Sequence, residues 1–261
     1  VLVRAWVGQL RDKGVIFHFG TEIEDFTAYR EKFDIVVLAL GGGSYEKNLT
    51  VHKMLEGKGL KISPFTPSNC GFEINWPEGF FKERKPVKNV VWKSSRGKKS
   101  GDVLITEYGV EGTPVYFSAQ TGLNHLDFKP DLTAEKVKER LQSKDTDKNY
   151  FARIKKNLKL DETAIELIRY FIPKEKLTTI EQAVECVKNF PLTLERARPL
   201  EEAISSKGGL SMEELDENFM LKKFPGVYAV GEMLDWDAPT GGFLIQACVS
   251  QGAFAAEEAS R

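Results

Sequence analysis

Residues 226–247 read GVYAVGEMLDWDAPTGGFLIQA, and the rest of the chain is read outward from them. VYAV (227–230) is a short apolar run ending at a glycine, the pattern of a buried strand. FLIQACVSQGAFAAEEA (243–259) is apolar and rich in small residues, a helix suited to close packing on a sheet. Between the two stand Gly231 and Glu232, then Thr240, Gly241 and Gly242. A connection that only turned the chain needs fewer special residues. Open α/β sheets bind ligands at the carboxyl ends of their strands. There a carboxylate such as Glu232 can accept hydrogen bonds from sugar hydroxyls, and an adjacent glycine lets a ligand approach the backbone. The helix that follows begins with unpaired N–H groups, a ready site for phosphate, a carbonyl oxygen or a developing anion. The plainer reading makes Gly231 a turn glycine, Glu232 a solvated acid, and Gly241 and Gly242 a flexible approach to the helix. It accounts for each residue singly, but less readily for all of them in one connection.

The same idiom occurs near the other end of the sequence. DIVVLAL (34–40) is a continuous apolar run of the kind buried on both faces in a parallel sheet, and GGGS (41–44) follows it. Glycines after a strand also make ordinary tight turns, and this trio lacks the GxGxxG spacing, which occurs nowhere in the chain. Upstream, Val3, Trp6, Val7 and Leu10 form one helical face, Gly14 is placed to cap it, and the helix is expected to lie on a sheet. VIFHF (15–19) alternates less cleanly but is β-branched and aromatic, the composition of a strand. From about 60 to 126 short strand-like pieces such as VKNVVW (87–92) and DVLITEYG (102–109) flank a basic turn, SSRGKKSG, predicting an antiparallel meander or small barrel. From about 131 to 190 amphipathic stretches such as TAEKVKERLQ (133–142), TAIELIRYFI (163–172) and TIEQAVECVK (179–188) predict a helical subdomain. The order α/β, β-rich, helical, α/β is that of one domain interrupted by inserted ones, so the first and last pieces should share a sheet.

Composition excludes several classes. The chain has 261 residues, 41% hydrophobic and 29% charged, with a net charge of −1. That balance gives no basic face for nucleic acid. No apolar run reaches the roughly 18 residues of a membrane span, and charges come too early for a signal peptide, so the expectation is a cytoplasmic protein with neither partner. Cys70, Cys186 and Cys248 are far apart and read as packed thiols. His18, His52 and His125 form no metal-binding spacing, and no metal is expected.

GVYAVGEMLDWDAPTGGFLIQACVSQG resembles the C-terminal signature of bacterial FAD-binding flavoproteins of the NAD(P)/FAD-dependent oxidoreductase or aminoacetone oxidase family, relatives of a bile-acid-pathway reductase. VVLALGGGSY (36–45), TEYGVEG (106–112) and AISSKGGLSMEELD (203–216) are similar to further family segments. Ala238-Pro239 stands where many relatives have a single glycine, which marks a subgroup.

The resemblance implies a glutathione-reductase-type FAD-binding domain, here without its N-terminal GxGxxG segment, interrupted by a β-barrel that carries a helical insertion. The implied boundaries are 1–47 and 218–261 for the FAD-binding part, 48–128 and 195–217 for the barrel-like part, and 129–194 for the helices. It implies an FAD-dependent oxidoreductase acting on a small organic substrate, with NAD(P)H as electron partner. The alternative is a non-catalytic flavin- or nucleotide-binding remnant without its cofactor loop. Carried over by position, Gly231 and Glu232 face the FAD ribityl and pyrophosphate region. Thr240, Gly241, Gly242 and Phe243 lie by the flavin ring, and Gly41, Gly42 and Gly43 line the same crevice. The helix N-terminus would stabilise charge on reduced flavin by about 0.3–2 kcal/mol, at most some 40 mV at about 30 mV per 1.4 kcal/mol. On the substrate side Glu107 and Tyr108 are candidates for proton transfer, with an exposed strand-end pair as the alternative. Trp236 either shields the flavin or anchors its loop. The basic turn is a solvated face or, alternatively, attracts NADPH.

Overall fold

The computed structural model describes residues 2–44, 50–80, 85–142 and 149–261; Tyr45, of the glycine-rich segment, lies outside them. The fold is mixed α/β. Strand β1 (Val36–Leu38) pairs in parallel with β2 (Val227–Ala229), in register Val36 to Val227 and Leu38 to Ala229, so the two ends of the sequence do share a sheet. Beneath this pair lies a core of Phe26, Leu38, Leu55, Leu210, Val227, Ala229 and Leu234, with Phe26 edge-on to Phe224 at 5.2 Å. Each large side chain so buried contributes about 1.5–3 kcal/mol.

The described residues between β1 and β2 contain two further sheets. β3 (Ile62–Pro67) pairs antiparallel with β4 (Ser206–Leu210). A six-stranded sheet is built from β5 (Phe72–Glu73), β6 (Lys85–Ser94), β7 (Gly97–Ile105), β8 (Gly109–Glu111), β9 (Gly122–Asp127) and β10 (Phe190–Leu194), in the order β5-β8-β7-β6-β9-β10. The sheet curls until its edges meet: Glu73 N–H donates to Arg196 O (2.8 Å), Glu195 N–H to Glu73 O (2.9 Å) and Arg198 N–H to Gly71 O (2.8 Å). The Glu73 carboxylate ties the same seam through Arg196 and Arg198, at 2.7 and 2.6 Å. Between β9 and β10 run four amphipathic helices, α1 (Ala134–Gln142), α2 (Tyr150–Asn157), α3 (Glu162–Phe171) and α4 (Ile180–Lys188). Their apolar faces enter the core of the curled sheet around Trp92, Leu126 and Phe190. A capping box of Thr179 and Gln182 starts α4, satisfying two otherwise orphaned backbone donors. A short helix, α5 (Thr113–Ser118), follows β8, and a long one, α6 (Phe243–Ala259), ends the chain. None of the described helices is long and apolar enough to cross a membrane.

Three expectations need correction. Residues 2–12 are helical (α7, Leu2–Asp12) and end at Gly14, whose φ of 88° suits a left-handed cap, yet none of the residues in α7 is buried. The apolar face exists, but no described strand lies against it. VIFHF forms no strand, because β-propensity needs a neighbouring strand to pair with, and Ile16 and Phe19 stand exposed. β1 is covered on one side only: Leu38 is buried, whereas Val37 is 48% exposed.

One contact fixes how the second sheet meets the first. Leu210 bridges Leu234, Asp235 N–H donates to Leu210 O (2.8 Å), and a Cβ at Gly209 would run into the carbonyl of Met233. With φ at 109°, Gly209 is required both for its conformation and for this approach. Gly209→Ala should therefore lower stability by roughly 1–3 kcal/mol or more, read from denaturant unfolding.

Asp25 ties the turn after VIFHF to the helix α8 (Thr50–Gly57), accepting from Lys58 Nζ (2.8 Å), Thr27 Oγ1 (2.6 Å) and Thr27 N–H (2.8 Å). The Lys58 ammonium first, then Thr27, hold its carboxyl at about 2, below the ordinary 3.8. A depressed folded pKa gives stability that is present above the unfolded value and lost as pH falls through the folded one. The stability difference between the wild type and Asp25→Asn, followed by denaturant titration, should be full above about pH 4 and vanish near pH 2.

Candidate functional site

Because β1 and β2 run parallel, their carboxyl ends open on the same side, and the loops that follow emerge next to each other. From β1 the chain enters Gly41, with φ at 79°, then Gly42 and Gly43, both buried. From β2 it enters Gly231, with φ at 87°, and Glu232. Ser206, at the start of β4, joins the two loops. Its hydroxyl accepts from Gly43 N–H (2.8 Å), its N–H donates to Glu232 Oε1 (3.0 Å), and its Oγ lies 3.5 Å from the same oxygen. A Cβ on Gly42 would fall 2.5 Å from both Glu232 Oε1 and Ser206 Oγ, so only glycine fits there. Glu232 is therefore not a solvated loop acid. One oxygen is held by β4, and Oε2 makes no hydrogen bond among the described residues.

Helix α6 holds the second loop. Gly231 N–H donates to Gln251 Oε1 (2.7 Å), and Gly231 O accepts from Trp236 Nε1 (2.8 Å). Trp236 thus anchors its loop. Thr240, Gly241, Gly242 and Phe243 occupy the N-terminal end of α6, where Gly242 takes a left-handed conformation (φ 92°) and no side chain caps the helix. The first-turn N–H groups consequently face outward without a side-chain acceptor. The hydroxyls of Ser44 and Thr240 are buried and have no hydrogen-bond partner among the described residues, a costly condition that a bound polar group would relieve. The structure thus brings Gly42, Gly43 and Glu232 into one knot, and links the Thr240–Phe243 segment to it through α6.

Other candidates fall elsewhere. Glu107 is exposed at the β7–β8 turn, and the Tyr108 hydroxyl donates to Glu111 while the Arg198 guanidinium lies 4.3 Å above its ring. The basic turn narrows to Ser95-Arg96, with Lys98 and Lys99 already in β7. His18 lies in the 15–19 loop and His125 on β9, while the side chain of His52 lies outside those described. Sequence reading missed Ser206 and Gln251; the serine just ahead of the 208–209 glycine pair was the available signal.

Cys248 lies one helical turn into α6, half-buried, with Sγ 3.9 Å from where a Cβ on Gly231 would stand. Burial first, then the charge of Glu232, push its thiol above the ordinary range. Cys70 and Cys186 are more deeply buried, and burial drives Cys186 up to about 12. Alkylation by iodoacetamide at pH 8 should therefore be slow at all three. Glu232→Gln should speed the reaction at Cys248, because removing the negative charge raises the thiolate fraction; peptide mass analysis reads the site.

Comparison with known proteins accords with this geometry. Residues 1–258 match the family model described as the HI0933-like protein Rossmann domain. A curated relative, the 3-dehydro-bile acid delta(4,6)-reductase of Clostridium scindens, is 24% identical over 257 residues, covering 87% of this chain and 62% of its own length. The chain belongs to the HI0933-like Rossmann family.

Proposed function

We propose that the chain is the flavin-facing part of an FAD-dependent oxidoreductase that works on a small organic substrate in the cytoplasm, with NAD(P)H as electron partner. Family membership over residues 1–258 supports the class of protein, and the similarity to a reductase supports the direction of the chemistry. The observation that carries the reading is the crevice itself: a glycine loop, a half-satisfied carboxylate, two orphaned hydroxyls and an uncapped helix start at one end of a parallel strand pair.

When bound, FAD supplies the hydride chemistry; the chain holds and tunes it. Gly42 and Gly43 let the first loop pack against Glu232, Ser206 and Phe65, and Gly41 and Gly231 shape the two loops. Glu232 Oε2 accepts from ribityl or ribose hydroxyls. Thr240 Oγ1 and the N–H groups of Gly242 and Phe243, with Gly241 before them, would hold the flavin and would stabilise the negative charge that reduction adds. In this reading residues 1–47 and 218–261 form the FAD-binding part, residues 48–128 and 195–217 the inserted barrel, and residues 129–194 its helical insertion. No GxGxxG spacing occurs within Val1–Arg261. β1 has one edge without a strand among the described residues, and Val37, Trp6 and Phe243 carry exposed apolar surface.

FAD titration, followed by visible absorbance and flavin fluorescence, tests the proposal on the chain alone and with its upstream coding sequence. The extended protein should bind tightly. Glu232→Ala should weaken binding roughly ten- to a hundredfold, the about 1.5–3 kcal/mol of a hydrogen bond to a charged group. If neither form binds FAD, the proposal fails.

A further inference from the structure

Directly before Thr240, a cleft of about 200 Å³ opens where three distant stretches of chain meet. Ser68 and Asn69 come from the segment after β3, Arg96 and Tyr116 from the curled sheet and α5, and Asp237 and Ala238 from the loop that leads into α6. Its walls are built. Asn69, only 3% exposed, donates from Nδ2 to Ser205 Oγ (2.6 Å) and to Ala238 O (2.8 Å), which pins the loop ahead of Thr240 to the strand carrying Ser206.

Two opposite charges line this space without meeting. The guanidinium of Arg96 is held by one bond, Nη1 to Ala119 O (3.2 Å), and makes no ion pair among the described residues. Asp237 accepts from Ser68 Oγ (2.5 Å) and likewise has no cation within ion-pair distance among the described residues. Tyr116 stands between the charged wall and Glu111, its hydroxyl 3.4 Å from Glu111 Oε2. Burial first, then Glu111, push its ionisation upward, so it remains a neutral donor.

A planar guanidinium with free donors suits a carboxylate, to which it can bind bidentately. A simple carboxylic acid would also face the Asp237 charge, and like-charge juxtaposition is costly. An amine alone meets the converse problem at Arg96. A molecule that carries both charges satisfies both walls. A cleft of this size, open to solvent, admits a compact molecule. We propose that this cleft binds a small amino acid, its carboxylate on Arg96 and its ammonium on Asp237. That it is the substrate's place, and not a separate binding site, rests on the flavoprotein reading above, since the cleft wall runs straight into Thr240.

The test uses the intact chain, with and without FAD, and follows amide shifts by nuclear magnetic resonance together with titration calorimetry. The probes are L-alanine, β-alanine and 4-aminobutyrate, against butyrate and butylamine. At least one amino acid should bind tenfold or more tightly than either single-charge analogue, with shifts at residues 68–69, 96, 116 and 237–238. Arg96→Gln and Asp237→Asn, both changes of exposed side chains and checked for folding by thermal melts, should each abolish that preference; Tyr116→Phe should weaken binding less. If no amino acid binds, if the single-charge analogues bind as well, or if the preference survives both charge variants, the inference is overturned. FAD titration of the same samples separates the two readings. Loss of FAD binding with amino acid preference intact removes only the flavoprotein reading, whereas normal FAD binding without that preference removes only this inference.

Discussion

Three parallel backbone pairings, from Val36 to Val227 through Leu38 to Ala229, hold together stretches separated by the whole of residues 39–226. Everything at the candidate site depends on them. Parallel pairing puts both carboxyl ends on one side, so the loops at 41–44 and 231–234 must emerge as neighbours. The chain then adds a third layer to the junction by laying β4 against the second loop, which only a glycine at 209 permits. Ser206 reaches Gly43 and Glu232 because β4 is fixed there. The knot is tertiary in origin: its three members come from three sheet elements and are bonded only because the backbones are clamped first.

The charges around this knot divide the crevice into two ends of opposite character. Near the strand ends stands Glu232, with one oxygen committed to Ser206 and its charge adding to burial in holding the thiol of Cys248 above its ordinary range. At the start of α6 stand unpaired N–H groups and no acid in the first turn. Such a site favours a ligand that donates hydrogen bonds at one end and carries acceptor density at the other. Gln251 and Trp236 keep the two ends at a fixed separation, since both hold Gly231 while one of them belongs to α6 itself. The field is thus set by backbone and helix geometry and needs no metal ion to create it.

Much of this was legible in the sequence, for identifiable reasons. DIVVLAL and VYAV are short apolar runs that read as strands, and both are, although only VYAV is buried throughout; strand-glycine-helix at both ends implied a shared sheet. The helices around 134–142, 162–171 and 180–188 follow from their 3.6-residue period, which maps directly onto one buried face. Periodicity shows that a face is apolar without showing what covers it, and so α7 was expected to be packed and is not. The 15–19 stretch failed for a related reason, since a strand exists only with a partner. Ser206 was invisible because its role depends on a contact across the insertion, and a serine ahead of two glycines also describes many ordinary turns. Trp236 was ambiguous for the opposite reason: its ring could serve either role, and the bond to Gly231 O shows the anchoring one.

The charged cleft and the orphaned hydroxyl of Thr240 are close in sequence, and the structure makes that proximity mechanical. Ala238 is held through its carbonyl by Asn69, and Asp237 through its carboxylate by Ser68, both residues of the segment that leads from β3 to the curled sheet. Pro239, whose ring fixes φ, leaves little freedom between these anchors and Thr240. Four residues, Pro239 to Gly242, then separate the anchored Ala238 from the first residue of α6, and the last two of them are glycines in left-handed conformations.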